Sequence, residues 1–255
     1  MRILITGGSG FIATEIFSQL KDKYNIHNPG RKDLNLLEIE SINKYFDNDT
    51  IYDLVIHTAI IGGSRLDEDE SKIFYNNLKM FYNLLEYKHK FKKFINFSSG
   101  AAYDRNTNIN GSSEILKSNP EDYYGLSKNI IDRLIFNMDN FYIIRIFNVY
   151  SENEKDSRFI KICKKSVENN ENIIINNDRY FDFFNSADLI KVIEYYINNN
   201  KLEKDIDLCY KNKYKLSDIA KNINKDNKVK IIINSNCNLN YIGNYKKLYN
   251  YNIIK

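Results

Sequence analysis

The 255-residue sequence predicts an α/β fold: a Rossmann-type doubly wound parallel sheet with a small C-terminal substrate-binding part. Two observations predict it. Short apolar runs alternate with segments of helical period, which implies parallel β-α-β units joined by right-handed crossovers. A glycine-rich turn also separates the first apolar run from the first helical segment, the place where such sheets hold a dinucleotide.

The elements follow in order. Arg2–Thr6 (RILIT) reads as a buried strand, and Phe11–Leu20 as a helix opening directly after the glycine-rich turn. Tyr24–His27 is a second strand, followed by the polar turn Asn28–Lys32 and a helix near Glu38–Phe46. Asp53–Thr58 is a strand, Glu68–Tyr87 a long helix, Lys92–Phe97 a strand, Tyr123–Asn137 a helix and Phe141–Phe147 a strand. Past Tyr150 the rhythm loosens. Ser157–Glu168, Ala187–Asn198 and Ser217–Ile223 have helical character; Asn172–Asn176, Asp205–Cys209 and Lys230–Ile233 read as strands. The expected division is a dinucleotide-binding Rossmann domain over 1–150, then the remaining sheet elements and a small substrate-binding region over 151–255. Pro29 and Pro120 both fall in expected loops, where proline is tolerated.

Composition narrows the function classes. With 43% hydrophobic residues the chain can build a core, and a net charge of +4 over this length gives no reason to expect a nucleic-acid partner. Cys163, Cys209 and Cys237 are far apart, without metal-ligand spacing, so neither a metal site nor a disulfide framework is expected. No stretch approaches the roughly 20 apolar residues of a membrane span. The opening residues MRILITGGSGFIA read as strand and turn rather than a signal peptide, and a cytoplasmic location is expected.

Thr6-Gly7-Gly8-Ser9-Gly10-Phe11-Ile12-Ala13 is a phosphate cradle: its glycines let the backbone approach a pyrophosphate whose charge meets a helix N-terminus. Gly7, Ser9, Gly10, Phe11 and Ile12 are the cofactor-binding candidates. At the end of the second strand, where a carboxylate would select NAD, the sequence has His27-Asn28-Pro29-Gly30-Arg31-Lys32. Arg31, with Lys32, suits the 2′-phosphate of NADP because a guanidinium binds phosphate bidentately. NADPH is therefore favoured over NADH.

Tyr124-Gly125-Leu126-Ser127-Lys128 places a tyrosine and a lysine on one helical face. A phenol with a reference pKa near 10 needs help to transfer protons at neutral pH. An ammonium about 4 Å away contributes on the order of 4 kcal/mol at an effective dielectric of about 20, roughly 3 pKa units. Ser99, read as directly following the fourth strand, would supply a hydroxyl to the reacting carbonyl at the sheet edge where ligands bind.

The ordered set TGGSGFIA, DLVIHTAI, INFSSGAAY, YYGLSK and RIFNVY resembles the extended short-chain dehydrogenase/reductase family over about the first 190 residues. The resemblance implies NAD(P) bound across the sheet, Tyr124 as proton donor or acceptor, Lys128 lowering its pKa and holding the nicotinamide ribose, and Ser99 polarising the C–O group. It adds Leu36 and Ala59 to the cofactor contacts and Asn148 to the substrate contacts, and it implies a homodimer. In Phe181–Leu189 a phenylalanine replaces the family's diphosphate-binding arginine, for which Arg179 is the expected substitute.

Within that family, Arg31–Glu38 and Ile60–Gly63 are most similar to GDP-L-fucose synthase-type nucleotide-sugar reductases. Those enzymes epimerise with a cysteine and a histidine, at positions occupied here by Ala101 and Arg158; neither shuttles protons near neutral pH. Arg158 becomes a substrate-binding candidate instead. The acid pair of the related 4,6-dehydratases is also missing, its positions being Gly100 and Ala101. The implied activity is NADPH-dependent C4-ketoreduction of a nucleotide-linked 4-keto sugar, a GDP-linked deoxy sugar or heptose being favoured, without epimerisation. Its setting would be bacterial surface- or capsular-polysaccharide biosynthesis. A 4-epimerase with tightly bound NAD and a non-catalytic nucleotide-binding regulator stay open as alternatives.

Overall fold

A strand buried on both faces is apolar along its middle, and Ile3, Leu4 and Ile5 within Arg2–Thr6 meet that condition: Leu4 packs into the core on one side of the sheet, Ile3 and Ile5 into the core on the other. The structure, a computed structural model, describes residues 1–63 and 70–254. Its strands are β1 (Arg2–Thr6), β2 (Asn25–His27), β3 (Leu54–His57), β4 (Phe94–Ser99), β5 (Ile109–Asn110), β6 (Phe141–Ile146), β7 (Val149–Tyr150), β8 (Ile173–Ile175), β9 (Phe184–Asn185), β10 (Asp205–Leu208), β11 (Ile231–Ile233) and β12 (Tyr241–Ile242). Its helices are α1 (Phe11–Leu20), α2 (Ile39–Phe46), α3 (Ser71–Leu85), α4 (Tyr123–Phe136), α5 (Phe159–Glu168), α6 (Ser186–Asn198), α7 (Leu216–Ile223) and the single turn α8 (Lys246–Tyr249).

Six strands form one parallel sheet in the order β10-β6-β4-β3-β1-β2. The chain steps from β1 outward to β2 and then returns to β3 on the other side, so the order reverses between β1 and β3. Ligands bind such sheets outside the carboxyl ends of the strands at this reversal, here next to Thr6 and His57, which are in register. One face is covered by α1 and α6, with Ala13, Ile16, Leu20, Leu189, Val192, Ile193 and Tyr196 in its core. The opposite face is covered by α2, α3 and α4, through Ile42, Met80, Phe81, Leu84, Ile131 and Ile135. Both faces of the sheet are thereby covered by helices whose buried residues recur at helical spacing.

Beyond β6 the chain builds three short parallel pairs, β7 with β9, β8 with β11 and β12 with β5. It returns to the sheet twice, through α6 on its surface and β10 at its edge.

Most predicted boundaries lie within a residue or two of those observed, but the fourth strand differs. It was expected at Lys92–Phe97 and runs from Phe94 to Ser99. The backbone of Lys92 and Lys93 bonds only on the β3 side, where the Lys92 N–H donates to the carbonyl of Tyr52 at 3.1 Å and the Lys93 carbonyl accepts from the N–H of Val55 at 2.9 Å, and pairing with β6 begins at Phe94. At the other end β6 continues alongside to Ile146, which makes Ser98 and Ser99 the last two residues of the strand rather than the first two after it. Glu68 and Asp69, the start of the predicted third helix, lie outside the described residues. Among the described residues, no helix is long and apolar enough to cross a membrane, and no group of three or more metal-ligating side chains is assembled.

Candidate active site

The glycine turn closes directly on β1. Gly7 has φ +75°, and a Cβ on it would lie 2.7 Å from the Cα of Ala59, so the end of β1 and the segment after β3 touch through a glycine. Gly8 donates its N–H to the carbonyl of Pro29 at 3.0 Å. The Asn28 side chain donates to the carbonyl of Gly8 at 3.1 Å, which ties the turn to the end of β2. Gly10 begins α1 without any side-chain cap, leaving the first-turn N–H groups of Phe11 and Ile12 to meet an anion with the helix dipole. Ser9 is exposed at the lip of this turn. Ala13, at the position where the dinucleotide fingerprint has a glycine or alanine, is fully buried against the sheet.

Beyond β2 no carboxylate closes the strand: His27 bonds Tyr52 at 2.9 Å, and Arg31 and Lys32 stand exposed on the following turn without an ion pair among the described residues. Leu36 is core-packed, and its carbonyl accepts from Asn83 at 2.8 Å. An open helix start, a close glycine approach and two free cations fit a dinucleotide with a phosphorylated ribose.

The acid–base candidates come together at the end of β4. Asp122 caps α4, accepting from the N–H of Gly125 at 2.7 Å, and so fixes the first turn that carries Tyr124. The Ser99 hydroxyl lies near enough to the Tyr124 phenol to favour its ionised form, and Ser99 Oγ accepts from the N–H of Ala101 at 3.1 Å. Lys128, one turn along, is buried, and its Nζ donates to the carbonyl of Phe97 at 2.6 Å.

The electrostatics differ from the spacing argument. Burial pushes the Tyr124 phenol up to about 12, against the opposing effect of the nearby Ser99 hydroxyl; Tyr241 and Asp122 raise it further while Arg105 lowers it. Lys128 does not bring the phenol toward neutrality in the protein alone, because its ammonium is committed to a β4 carbonyl. Burial takes Lys128 itself down to about 8. It also takes His57 to about 3, with Lys128 adding to the effect, so the imidazole is neutral and shares a 2.8 Å bond with Thr6 Oγ1.

Asn148 and Arg158 are joined: Arg158 Nη2 donates to Asn148 Oδ1 at 2.6 Å and to the carbonyl of Val149 at 3.2 Å. Burial lowers the Arg158 guanidinium, while Glu154 and then Tyr124 raise it, so this cation is close enough to feel the phenol. Arg179 is placed differently. It lies over the ring of Phe181 at 5.5 Å and donates to the carbonyl of Leu239 at 3.4 Å, and no described contact joins it to Tyr124.

Residues that sequence reasoning passed over complete the setting. Gly63 has φ +82°, and a Cβ there would lie 2.7 Å from two ring atoms of Tyr124, so its backbone is the surface on which the phenol rests. Its glycine pair was visible in Ile60–Gly63, without any sign of what it touches. Arg105 lies 5.5 Å from the centroid of the Tyr124 ring and pairs with Asp122 at 2.5 Å. Tyr241 and Phe147 occupy the space beside Gly100: a Cβ at that position would fall 2.6 Å from Phe147 and 2.8 Å from Tyr241. The position directly after Ser99 is therefore built to exclude a side chain, an acid included.

A glycine cradle at the strand-order reversal, on the same sheet as a serine at the end of β4 and a tyrosine and a lysine on α4, is the arrangement of a dinucleotide-binding α/β protein. The chain belongs to the NAD dependent epimerase/dehydratase family, whose model matches residues 3–209, and thereby to a class of NAD(P)-dependent enzymes. It is 23% identical over 223 residues to the CDP-abequose synthase of Yersinia pseudotuberculosis, covering 80% of this chain and 76% of that protein. Among solved structures it resembles a GDP-L-fucose synthetase from Naegleria fowleri bound to NADP, with TM-score 0.79 and 18% identity, over 100% of this chain and 87% of the other. It also resembles a GDP-mannoheptose C4 reductase from Campylobacter jejuni with NADP bound, with TM-score 0.80 and 17% identity, over 98% and 91% of the two chains.

A phenol raised to about 12 stays protonated in the free protein. The ultraviolet difference between wild type and Tyr124→Phe is therefore expected to show no tyrosinate from Tyr124 below pH ~10. A midpoint near neutrality in that difference titration would contradict the assignment.

Proposed function

We propose that the protein is an NADPH-dependent ketoreductase acting at C4 of a nucleotide-linked 4-keto sugar, a GDP-linked deoxy sugar or heptose above others, and that it leaves the neighbouring carbons unepimerised. The observation that carries this reading is the meeting of Ser99, Tyr124 and Lys128 at one strand end, in a site whose two further family proton-transfer positions hold Ala101 and Arg158. The NADP-bound synthetase and C4 reductase with which the chain shares its fold support the substrate class and the cofactor.

In this reading the backbone of Gly7, Ser9, Gly10, Phe11 and Ile12 holds the pyrophosphate, Ala59 lies along the cofactor, and Arg31 with Lys32 meets the 2′-phosphate. Bound NADPH supplies the hydride for C4. Tyr124 gives its proton to the ketone oxygen, Ser99 hydrogen-bonds that oxygen, and Lys128 holds the ribose while countering the phenolate that forms. A phenol that starts protonated is the correct state for the reductive direction. Asn148 and Arg158 face the sugar nucleotide as a joined amide and cation. A residue that epimerises must be neutral or anionic first and protonated afterwards; the Ala101 methyl and the Arg158 guanidinium cannot do this.

Two measurements test the reading. Purified protein is expected to bind NADPH at least about 10-fold more tightly than NADH, with Arg31→Ala removing most of the difference, since losing one charge-assisted contact costs about 1.5–3 kcal/mol. Equal affinities in the wild type would shift the reading to a 4-epimerase retaining NAD. In deuterated water, a 4-keto sugar nucleotide incubated with enzyme and no reduced cofactor should gain no deuterium at C3 or C5 above the buffer control. Enzyme-dependent incorporation at either carbon would restore the bifunctional reading.

A further inference from the structure

Behind the tyrosine, on the side of the sheet that α4 covers, lies a buried ladder of charge that the proposed chemistry does not use. Arg145 of β6 is fully buried. Its Nε donates to Asp132 Oδ2 at 2.8 Å, and its Nη1 to Asp205 at 2.7 Å, to Asp207 at 3.2 Å and to the hydroxyl of Tyr103 at 3.0 Å. From β4, Ser98 Oγ donates to the same Asp132 oxygen at 2.8 Å. The other oxygen, Oδ1, has no hydrogen-bond partner among the described residues. Lys128 and Asp132 are one turn apart on α4, hence on one helical face, and are 4% and 0% exposed.

Asp132, Asp205 and Asp207 are three carboxylates. Arg145 serves all of them, and Lys247 of α8 meets Asp205 from the more exposed side. Tyr103 is held protonated by burial, and His57 on β3 is held neutral by burial and by Lys128. Lys128 adds a third positive charge: its ammonium hydrogen-bonds the uncharged carbonyl of Phe97 and, among the described residues, has no carboxylate within ion-pair distance.

We propose that Asp132 is a positioning residue for Lys128: clamped by Ser98 and Arg145, its carboxylate is the buried counter-charge that keeps the lysine protonated and directed along β4. The proposal rests on the reading of Lys128 as part of the reacting group. The effects are reciprocal, as coupled sites require. Burial takes Lys128 down and Asp132 opposes it; burial pushes Asp132 up, while Arg145, Ser98 and Lys128 pull it down. Removing the carboxylate charge therefore lowers the lysine's midpoint, and the ammonium is lost at a lower pH.

The test needs neither cofactor nor substrate. In protein labelled with 13C at the lysine Cε, the Lys128 resonance, assigned by its loss in Lys128→Met, should titrate at about 8 in the wild type. In Asp132→Asn it should titrate at least about 1 unit lower, the scale of a neighbouring opposite charge, and Asp132→Glu should restore it. Asp205 and Asp207 still neutralise Arg145 in the asparagine variant. An unmoved midpoint in folded Asp132→Asn overturns the proposal. Should that variant not fold, Lys128→Met supplies the reciprocal measurement: the Asp132 carboxyl midpoint, read from 13Cγ-labelled aspartate, must rise, and an unchanged value is equally decisive against it. Where reduction is observed, the basic limb of its pH profile should move with the lysine. A shifted midpoint in a protein that reduces no 4-keto sugar supports the pair and defeats the reductase reading instead.

Discussion

The pairing of α4 with β4 and β6 through Asp132, Ser98 and Arg145 governs this structure, because it decides which part of the helix faces the sheet. An apolar helix face can slide on an apolar sheet at little cost. A carboxylate fixed by a strand hydroxyl and a buried guanidinium cannot. Taking such charges out of water is expensive, so their use here is geometric rather than a source of net stability. With Asp132 fixed, Lys128 falls against β4 one turn away, and Tyr124, one turn further, falls beside Ser99 at the strand's end.

The remaining surroundings of Tyr124 follow from that placement. The phenol lies between the backbone of Gly63 and the guanidinium of Arg105, the first requiring an absent side chain and the second held by the Asp122 that also caps the helix. Behind Ser99, the rings of Phe147 and Tyr241 fill the space that a residue larger than glycine at 100 would need. At position 100 the packing itself, and not only the residue type, excludes an acidic side chain. The match over residues 3–209 supplies the family; the proposal of simple reduction rests on these side chains.

How much of this could be read in the chain varies with range. β1, the glycine turn and α1 were legible to the residue, since a buried strand, a turn needing positive φ and a helix start follow one another within a short segment. The fourth strand was placed two residues early because its limits are set by pairing with β6, from Phe94 with Phe141 to Ser99 with Ile146, a partner distant in sequence. The two-residue pairs β5·β12 and β7·β9 carry no periodicity and exist only because distant segments meet. Spacing put Tyr124 and Lys128 on one face correctly, yet it could not tell where the ammonium points. Tyr241 and Arg105, which act on the same phenol from other segments, left no local signal at all.

The central claim is a net reduction in which Tyr124 gives the proton. It is tested most directly by following NADPH oxidation and sugar product together across GDP-, UDP-, CDP- and dTDP-linked 4-keto sugars. The account predicts one equivalent of NADPH consumed per C4 alcohol formed, on a GDP-linked substrate above the others, and a loss of at least about 10²-fold in turnover for Tyr124→Phe with NADPH binding kept. Interconversion of sugar nucleotides with no net consumption of NADPH, or near-native turnover by Tyr124→Phe, would contradict it.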